Sequence, residues 1–190
     1  MADLITKDTY KQAKALTGAK DDERLDLIAS SVSQLVKTYC NNSIVDYVDT
    51  PYTEFQTVDF PGNCLQLTES PVLAITEIWE RPSAIDPYVQ LENDGTDYTL
   101  DRRADTINRV GSNWPMGVEA VKVVYTAGYS PIPADLTLAL IDLMSYYYKE
   151  EHKVQRQLGS GSMTNPKGTI EGNIGFPDHI KRVLDLYRDI

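Results

Sequence analysis

Between Leu25 and Tyr39 the apolar residues Leu25, Ile28, Ala29, Val32, Leu35, Val36 and Tyr39 recur every three or four positions. That spacing predicts an amphipathic helix facing a core. Asp21, Asp22 and Glu23 just ahead of it suit the positive end of its dipole. Upstream, Tyr10, Ala13 and Leu16 mark one face of a shorter helix, capped by Thr6 and stopped at Gly18. Past residue 50 the pattern changes. Short runs rich in Val, Ile, Thr and Tyr, separated by turn formers, predict strands over 53–59, 64–68, 72–80, 97–100 and 118–126. Pro61-Gly62-Asn63 predicts a turn between two of them, and Asp94-Gly95 a hairpin ahead of Asp97.

Pro133 suits the first turn of a helix, where its missing N–H costs nothing. Leu136, Leu140, Leu143, Tyr147, Val154 and Leu158 then predict the longest element of the chain. It would be a helix of about 26 residues, about 39 Å in length. A Gly/Ser/Asn-rich stretch follows, too poor in apolar residues to order itself alone. Pro177 opens a last short helix with Ile180, Val183, Leu184 and Tyr187 on one side. The expected fold class is α+β, mainly α: a helical core carrying an inserted antiparallel β lobe. Residues 1–43 and 130–158 make the helical core, 44–129 the β insert, 159–176 a flexible loop and 177–190 the terminal helix.

Charge sharpens that division. Eighteen Lys and Arg stand against 28 Asp and Glu among 190 residues, a formal net charge of −10. Residues 51–126 alone hold five positive and twelve negative charges, a net of −7, and six of the ten prolines. The insert is thus an acidic, turn-rich lobe. A chain of this size can bury roughly 70% of its unfolded surface and needs no covalent staples. Its longest apolar runs, such as 136–144, are broken by polar residues and do not span a bilayer. The opening residues lack the basic and apolar regions of a secretory signal. Two cysteines, Cys40 and Cys64, are too few for a disulfide framework or a four-ligand zinc site, and both are expected to be reduced packing residues.

Catalytic chemistry finds little support. Nucleophilic catalysis needs a base beside the nucleophile, most often a histidine. His152 lies in a charged helical stretch and His179 near the start of the last helix, neither in a metal-ligand spacing. No carboxylate pair stands out from the 28, so a carboxylate-based hydrolase stays only as an alternative. Residues 90–101 imitate a calcium loop, yet Gln90 takes the first ligand position and no flanking helices are predicted. There is no Walker loop and no dinucleotide fingerprint. Arg102 and Arg103 are flanked by Asp101 and Asp105, the reverse of a phosphate-binding cluster. No enzyme, no cofactor and no metal site is expected.

Several segments nevertheless occur in a telling order. Glu69-Ser70-Pro71-Val72-Leu73-Ala74-Ile75-Thr76-Glu77-Ile78 follows the helical N-terminal part. Asp97-Tyr98-Thr99-Leu100 and Asn113-Trp114-Pro115 come next. Val123-Val124-Tyr125-Thr126-Ala127-Gly128-Tyr129 then leads into Ile132-Pro133-Ala134-Asp135-Leu136, and the chain closes on Phe176-Pro177-Asp178-His179-Ile180-Lys181-Arg182-Val183-Leu184. Across 4–158 and 175–190 this resembles the head-to-tail connector proteins of tailed bacteriophages, also called adaptor or head-completion proteins. Gly128 allows a sharp exit from the strand and Pro133 restarts the chain as a helix. The loop at 159–175 and the enlarged middle lobe depart from the family pattern.

The resemblance implies a virion protein made in the host cytoplasm, located at the neck and without catalysis. It implies a ring, a dodecamer, docked on the portal protein and joined to the tail or to a head-closure or nozzle protein. Double-stranded DNA would pass through the ring without specific binding, and no membrane is involved. Another neck or tail-completion protein is the alternative within the same particle. On this reading 159–190 docks into the portal, with Phe176, Ile180, Val183, Leu184 and Tyr187 as apolar anchors and Arg182 and Arg188 as polar ones. Glu92, Asp94, Asp97, Asp101 and Asp105 would face the channel or the next neck component. Trp79 and Trp114 would anchor the ring interface, whereas Tyr146, Tyr147 and Tyr148 read as core of the long helix.

Overall fold

A computed structural model of the chain describes residues 2–92, 95–149, 157–158, 161–162 and 176–188. The chain divides into two compact units, residues 1–42 with 131–190, and residues 43–130.

The first unit contains the helices α1 (Lys7–Ala13), α2 (Asp22–Cys40), α3 (Ala134–Tyr148) and α4 (Asp178–Leu184). Thr6 caps α1 by accepting the Thr9 N–H at 3.2 Å. The helix ends earlier than Gly18 would have it. Ala15 turns left-handed at φ 54°, and the Leu16 N–H reaches back to the Lys11 carbonyl at 2.9 Å, a Schellman closure without glycine. On α2 the predicted stripe is the buried one: Leu25, Ala29, Val32, Val36 and Tyr39 turn inward, joined by Cys40. Residues ahead of α1 strap across α2. Leu4 and Ile5 are buried, the Leu4 N–H donates to Ser33 Oγ at 2.9 Å, and the buried Lys37 ammonium donates to the Ala2 carbonyl at 2.6 Å.

Helix α3 has 15 residues, so α2, with 19, is the longest helix among the described residues. Leu136, Ala139, Leu140, Leu143 and Met144 form its buried face. After Tyr147 the apolar spacing opens to seven residues, and Lys149-Glu150-Glu151-His152-Lys153 supplies nothing to bury. Helix propagation without an apolar face is marginal. In place of the expected helical end at Leu158, β8 (Gln157–Leu158) pairs antiparallel with β9 (Gly161–Ser162). The loop expected over 159–176 otherwise lies outside the described residues, apart from Phe176.

The second unit holds two antiparallel sheets. One has the order β1-β7-β3-β4, from β1 (Tyr52–Val58), β7 (Gly117–Ala127), β3 (Val72–Glu80) and β4 (Val89–Gln90). The other has the order β2-β6-β5, from β2 (Cys64–Gln66), β6 (Thr106–Arg109) and β5 (Tyr98–Asp101). Tyr52 faces Tyr125 and Val58 faces Gly117 across β1 and β7, with a bulge between Gln56 and Val58. Inward residues of both sheets share one core, among them Val58, Leu67, Val72, Ile78, Tyr98, Ile107, Trp114, Val121, Val123 and Tyr125. The turns at Pro61-Gly62-Asn63 and at Gly95 carry the chain from one sheet to the other, so neither closes a hairpin between paired strands.

Gly128 ends β7 at φ 117°, and a Cβ there would sit 2.5 Å from the Ile44 carbonyl oxygen. Its own N–H donates to the Pro71 carbonyl at 2.9 Å. The close approach and the dihedral both require glycine.

The fold is therefore α+β, but not mainly α: strands and helices hold nearly equal numbers of the described residues. The short strands β4 and β6, too brief to show a periodic pattern, account for part of the difference. Cys40 is buried, while Cys64 lies exposed at the start of the edge strand β2, so only the first is a packing residue.

Candidate functional site: an assembly surface

The C-terminal segment is built on a core of its own unit. Pro177 precedes α4, and Phe176, Ile180 and Leu184 are buried. The Phe176 ring meets Tyr39 edge-on at a centroid distance of 5.0 Å. Tyr39 Oη donates to Asp185 Oδ1 at 2.5 Å, and Tyr187 Oη donates to Asp135 Oδ1 at 2.6 Å. The second bond holds the Asp135 carboxyl below the usual carboxylate range. Burial, then the bond to Asp185, pushes the Tyr39 hydroxyl up to about 12. Val183 is half-buried. α4 and the turn after it expose Asp178, His179, Arg182, Asp185, Leu186 and Arg188, the last with its guanidinium 5.6 Å from the Tyr39 ring. Of the sequence-derived docking residues, Phe176, Ile180 and Leu184 thus fill the unit's interior, and the arginines face outward.

The acidic candidates also separate. Asp97 Oδ1 lies 3.3 Å from Arg109 Nη1, and its Oδ2 accepts the Glu92 N–H at 2.8 Å. Arg109 simultaneously grips Glu80 through Nε and Nη2, at 3.2 and 3.1 Å. Asp105, left-handed at φ 50°, accepts the Val72 N–H at 2.8 Å. Asp97 and Asp105 are therefore fasteners between strands. Glu92 and Asp101 are exposed, and Asp94 lies outside the described residues.

Trp114 is buried in the core of the second unit, with Arg109 5.9 Å from its ring and no partner for Nε1 among the described residues. Its side chain packs in the interior of the unit and not on its surface. Trp79 is half-buried on the sheet, where Nε1 donates to Glu77 at 3.0 Å and Lys122 stands 5.4 Å from the ring.

The most enclosed carboxylate among the described residues is absent from the sequence-derived candidates. Glu54 accepts from Thr68 Oγ at 2.6 Å, from the Thr68 N–H at 3.1 Å, from Tyr125 Oη at 2.6 Å and from Gln56 Nε2. Tyr125 Oη in turn accepts the Glu69 N–H at 3.0 Å, and the Glu69 carboxylate holds Ser43 through its N–H and hydroxyl at 3.0 and 2.6 Å. Burial, then the bond to Glu54, drives the Tyr125 hydroxyl far above the normal phenol range. With four donors on it, Glu54 is a structural acceptor rather than an acid or base awaiting a substrate. Its signal in sequence was parity: in β1 it shares the inward side with Tyr52 and Val58.

Among the described residues no group of three or more His, Cys, Asp or Glu could hold a metal ion. No helix there is long and apolar enough to cross a membrane. Exposed apolar residues at the ends of strands, including Phe60, Ile85, Met116 and Val118, also escaped the sequence reading. Their signal was a lone apolar residue beside proline, glycine or an acid in a turn.

Asp97, Asp105 and Glu54 fasten strands and loops of the second unit, and apolar side chains stand exposed on its loops, an arrangement suited to a structural, assembly-forming protein. The family model for head completion proteins matches residues 3–190, and the chain belongs to that family, which is structural and not enzymatic. It is 23% identical over 190 residues to the head completion protein of Escherichia phage T5, covering 98% of this chain and 99% of that protein. Its fold is similar to a chain in the neck of an empty gene transfer agent particle computed with C6 symmetry. There the TM-score is 0.60 at 17% identity, over 95% of this chain and 87% of the other. A chain in the virion of the native gene transfer agent particle gives 0.61 at 17% identity, over 96% and 88%.

Proposed function

We propose that this protein forms a closed ring at the neck of a phage particle, docked on the portal and joined to the tail or the next neck component. The family match over residues 3–190 carries this reading. Chains of similar fold occur in gene transfer agent necks computed with C6 and with C12 symmetry, which supports a ring of six or twelve. Head-to-tail contacts between identical copies close into rings when the rotation closes.

The portal-docking surface in this reading is the outward side of the C-terminal segment. Arg182 and Arg188 make the polar contacts, Leu186 supplies the apolar one, and the sequence-derived Val183 and Tyr187 lie half-buried beside them. Repeated around a ring, weak single contacts add by avidity. DNA passes the ring without holding to it. Exposed Glu92 and Asp101, with the acidic balance of the lobe, offer no counterion release to drive binding.

Co-sedimentation with portal rings from the same genome tests the docking. Saturable binding of the intact chain is expected, weakened at least tenfold by Arg182→Glu with Arg188→Glu. No binding of the intact protein, or binding untouched by the double reversal, overturns it.

A further inference from the structure

Four apolar side chains gather at one end of the second unit, on three adjoining loops. Phe60 follows β1, Ile85 lies between β3 and β4, and Met116 and Val118 flank the start of β7. They are 82%, 93%, 56% and 67% exposed. The backbone joins the loops. Val58 pairs with Gly117, and the Trp114 N–H donates to the Gly62 carbonyl at 2.9 Å. Arg81 ties the third loop in, donating through Nη2 to the Val118 carbonyl at 3.2 Å, through Nε to the Glu119 carbonyl at 3.1 Å and through Nη1 to the Ala84 carbonyl at 3.3 Å. Tyr88 Oη adds a 2.6 Å bond to the Glu119 carbonyl. Single exposed apolar residues are ordinary. Four on mutually fastened loops leave on the order of 500 Å² of apolar surface in water, the size of the largest patch on a typical monomer, which is often functional.

Each flank of this tip carries an acid next to an apolar residue: Asp59 before Phe60, Asp86 after Ile85 and Glu119 after Val118. Glu119 keeps a 3.7 Å contact with Arg81. The whole unit, residues 43–130, has fourteen Asp and Glu against five Lys and Arg, a net of −9. Two such tips placed together would set like charges face to face, and an anionic lipid or nucleic-acid surface would repel them. The complementary surface is an apolar groove rimmed by Lys or Arg. The patch is smaller than the roughly 800 Å² that each partner buries in a standard interface, so one contact is weak and a ring of them is not.

We propose that this loop tip is the element that engages the tail-side component, by inserting Phe60, Ile85, Met116 and Val118 into an apolar groove with a basic rim. The inference rests on the neck assignment above. It is tested with filled, tailless heads from a mutant lacking this protein, supplied with purified protein and then with purified tails. The first variant combines Phe60→Ser, Met116→Ser and Val118→Ser, with tryptophan fluorescence and far-UV circular dichroism confirming the fold. Ile85→Ser alone, at a side chain 93% exposed, is the second, and Asp59→Lys with Asp86→Lys the third. The expected result is wild-type loading on heads with tail joining reduced at least tenfold by the triple change and several-fold by the other two. Joining by the charge reversal should also lose its dependence on salt. Tail joining at the wild-type level overturns the proposal. So does loss of head loading by the folded variants, which would assign the tip to neighbouring copies or to the portal. Failure of the wild-type protein to load on heads is a separate outcome that sinks the neck assignment as well.

Discussion

Glu54→Ala should be among the most damaging single changes in the second unit. Glu54 is 8% exposed and accepts four hydrogen bonds, from Thr68 Oγ, the Thr68 N–H, Tyr125 Oη and Gln56 Nε2. A hydrogen bond to a charged group contributes about 1.5–3 kcal/mol, and a buried donor left without a partner costs about 1–3 kcal/mol. Gln56 Nε2 retains the Gln66 carbonyl at 2.9 Å, and the Thr68 hydroxyl can turn to solvent, so two donors are fully orphaned. The net loss is about 3–5 kcal/mol. Glu54→Gln keeps the shape and one acceptor oxygen but turns an amide N–H toward donors, costing about 1–3 kcal/mol. Tyr125→Phe falls in the same range, and the double change should cost less than the sum because the groups form one network. The two tryptophans of the chain, Trp79 and Trp114, both lie in the second unit, whereas all four described α-helices lie in the first. Urea unfolding followed by tryptophan fluorescence therefore reads the sheets, and ellipticity at 222 nm reads the helices. The fluorescence transition should move to lower urea and the helical one should stay. An unfolding free energy from the fluorescence transition within about 0.5 kcal/mol of wild type for Glu54→Ala would refute the reasoning.

Gly128→Ala sets a Cβ 2.5 Å from the Ile44 carbonyl oxygen at φ 117°; it should cost about 3 kcal/mol or more and lower the fluorescence-detected midpoint, while Gly111→Ala, left-handed but open, should cost about 1–2 kcal/mol. Cutting the chain after Leu158 strips Phe176, Ile180 and Leu184 from the helical core, so the helical transition should weaken or vanish before any docking is tested. Leu184→Ala alone should cost about 2–5 kcal/mol by the same probe. Tyr39 has its hydroxyl raised to about 12 in the folded state. Its contribution is fully present below the unfolded value near 10 and is lost as pH rises from 10 through about 12; thermal melts at 222 nm across that range should fall more steeply for wild type than for Tyr39→Phe.

Much of this fold was legible because its signals are local. The three-and-four spacing on α2, the run at 72–80 and the Pro177 start of α4 each lie within a few residues, and each element formed where its pattern sits. What was not legible depends on partners far along the chain. Asp97 and Asp105 look like solvated acids until Arg109 and the Val72 N–H arrive beside them. Glu54 looks the same until Tyr125, 71 residues on, points its hydroxyl at it. The apolar stripe of the terminal helix suggested an anchor for another protein, but an amphipathic face is equally complete when α2 and α3 cover it within the same unit. Arg182 and Arg188 survive as outward groups because burying an arginine without a partner is costly. The stripe predicted for α3 counts Val154 and Leu158, although the apolar spacing opens to seven residues after Tyr147.

The central claim is that this protein completes the neck of the particle, and complementation in vitro tests it most directly. DNA-filled heads from particles lacking the protein are mixed with purified protein and purified tails, and infectious particles are counted. Infectivity should appear only when the protein is supplied before or with the tails, and should saturate at a fixed number of copies per head that closes a ring. Tailed, infectious particles forming without it, or restored infectivity with no protein retained on the heads, would contradict the account.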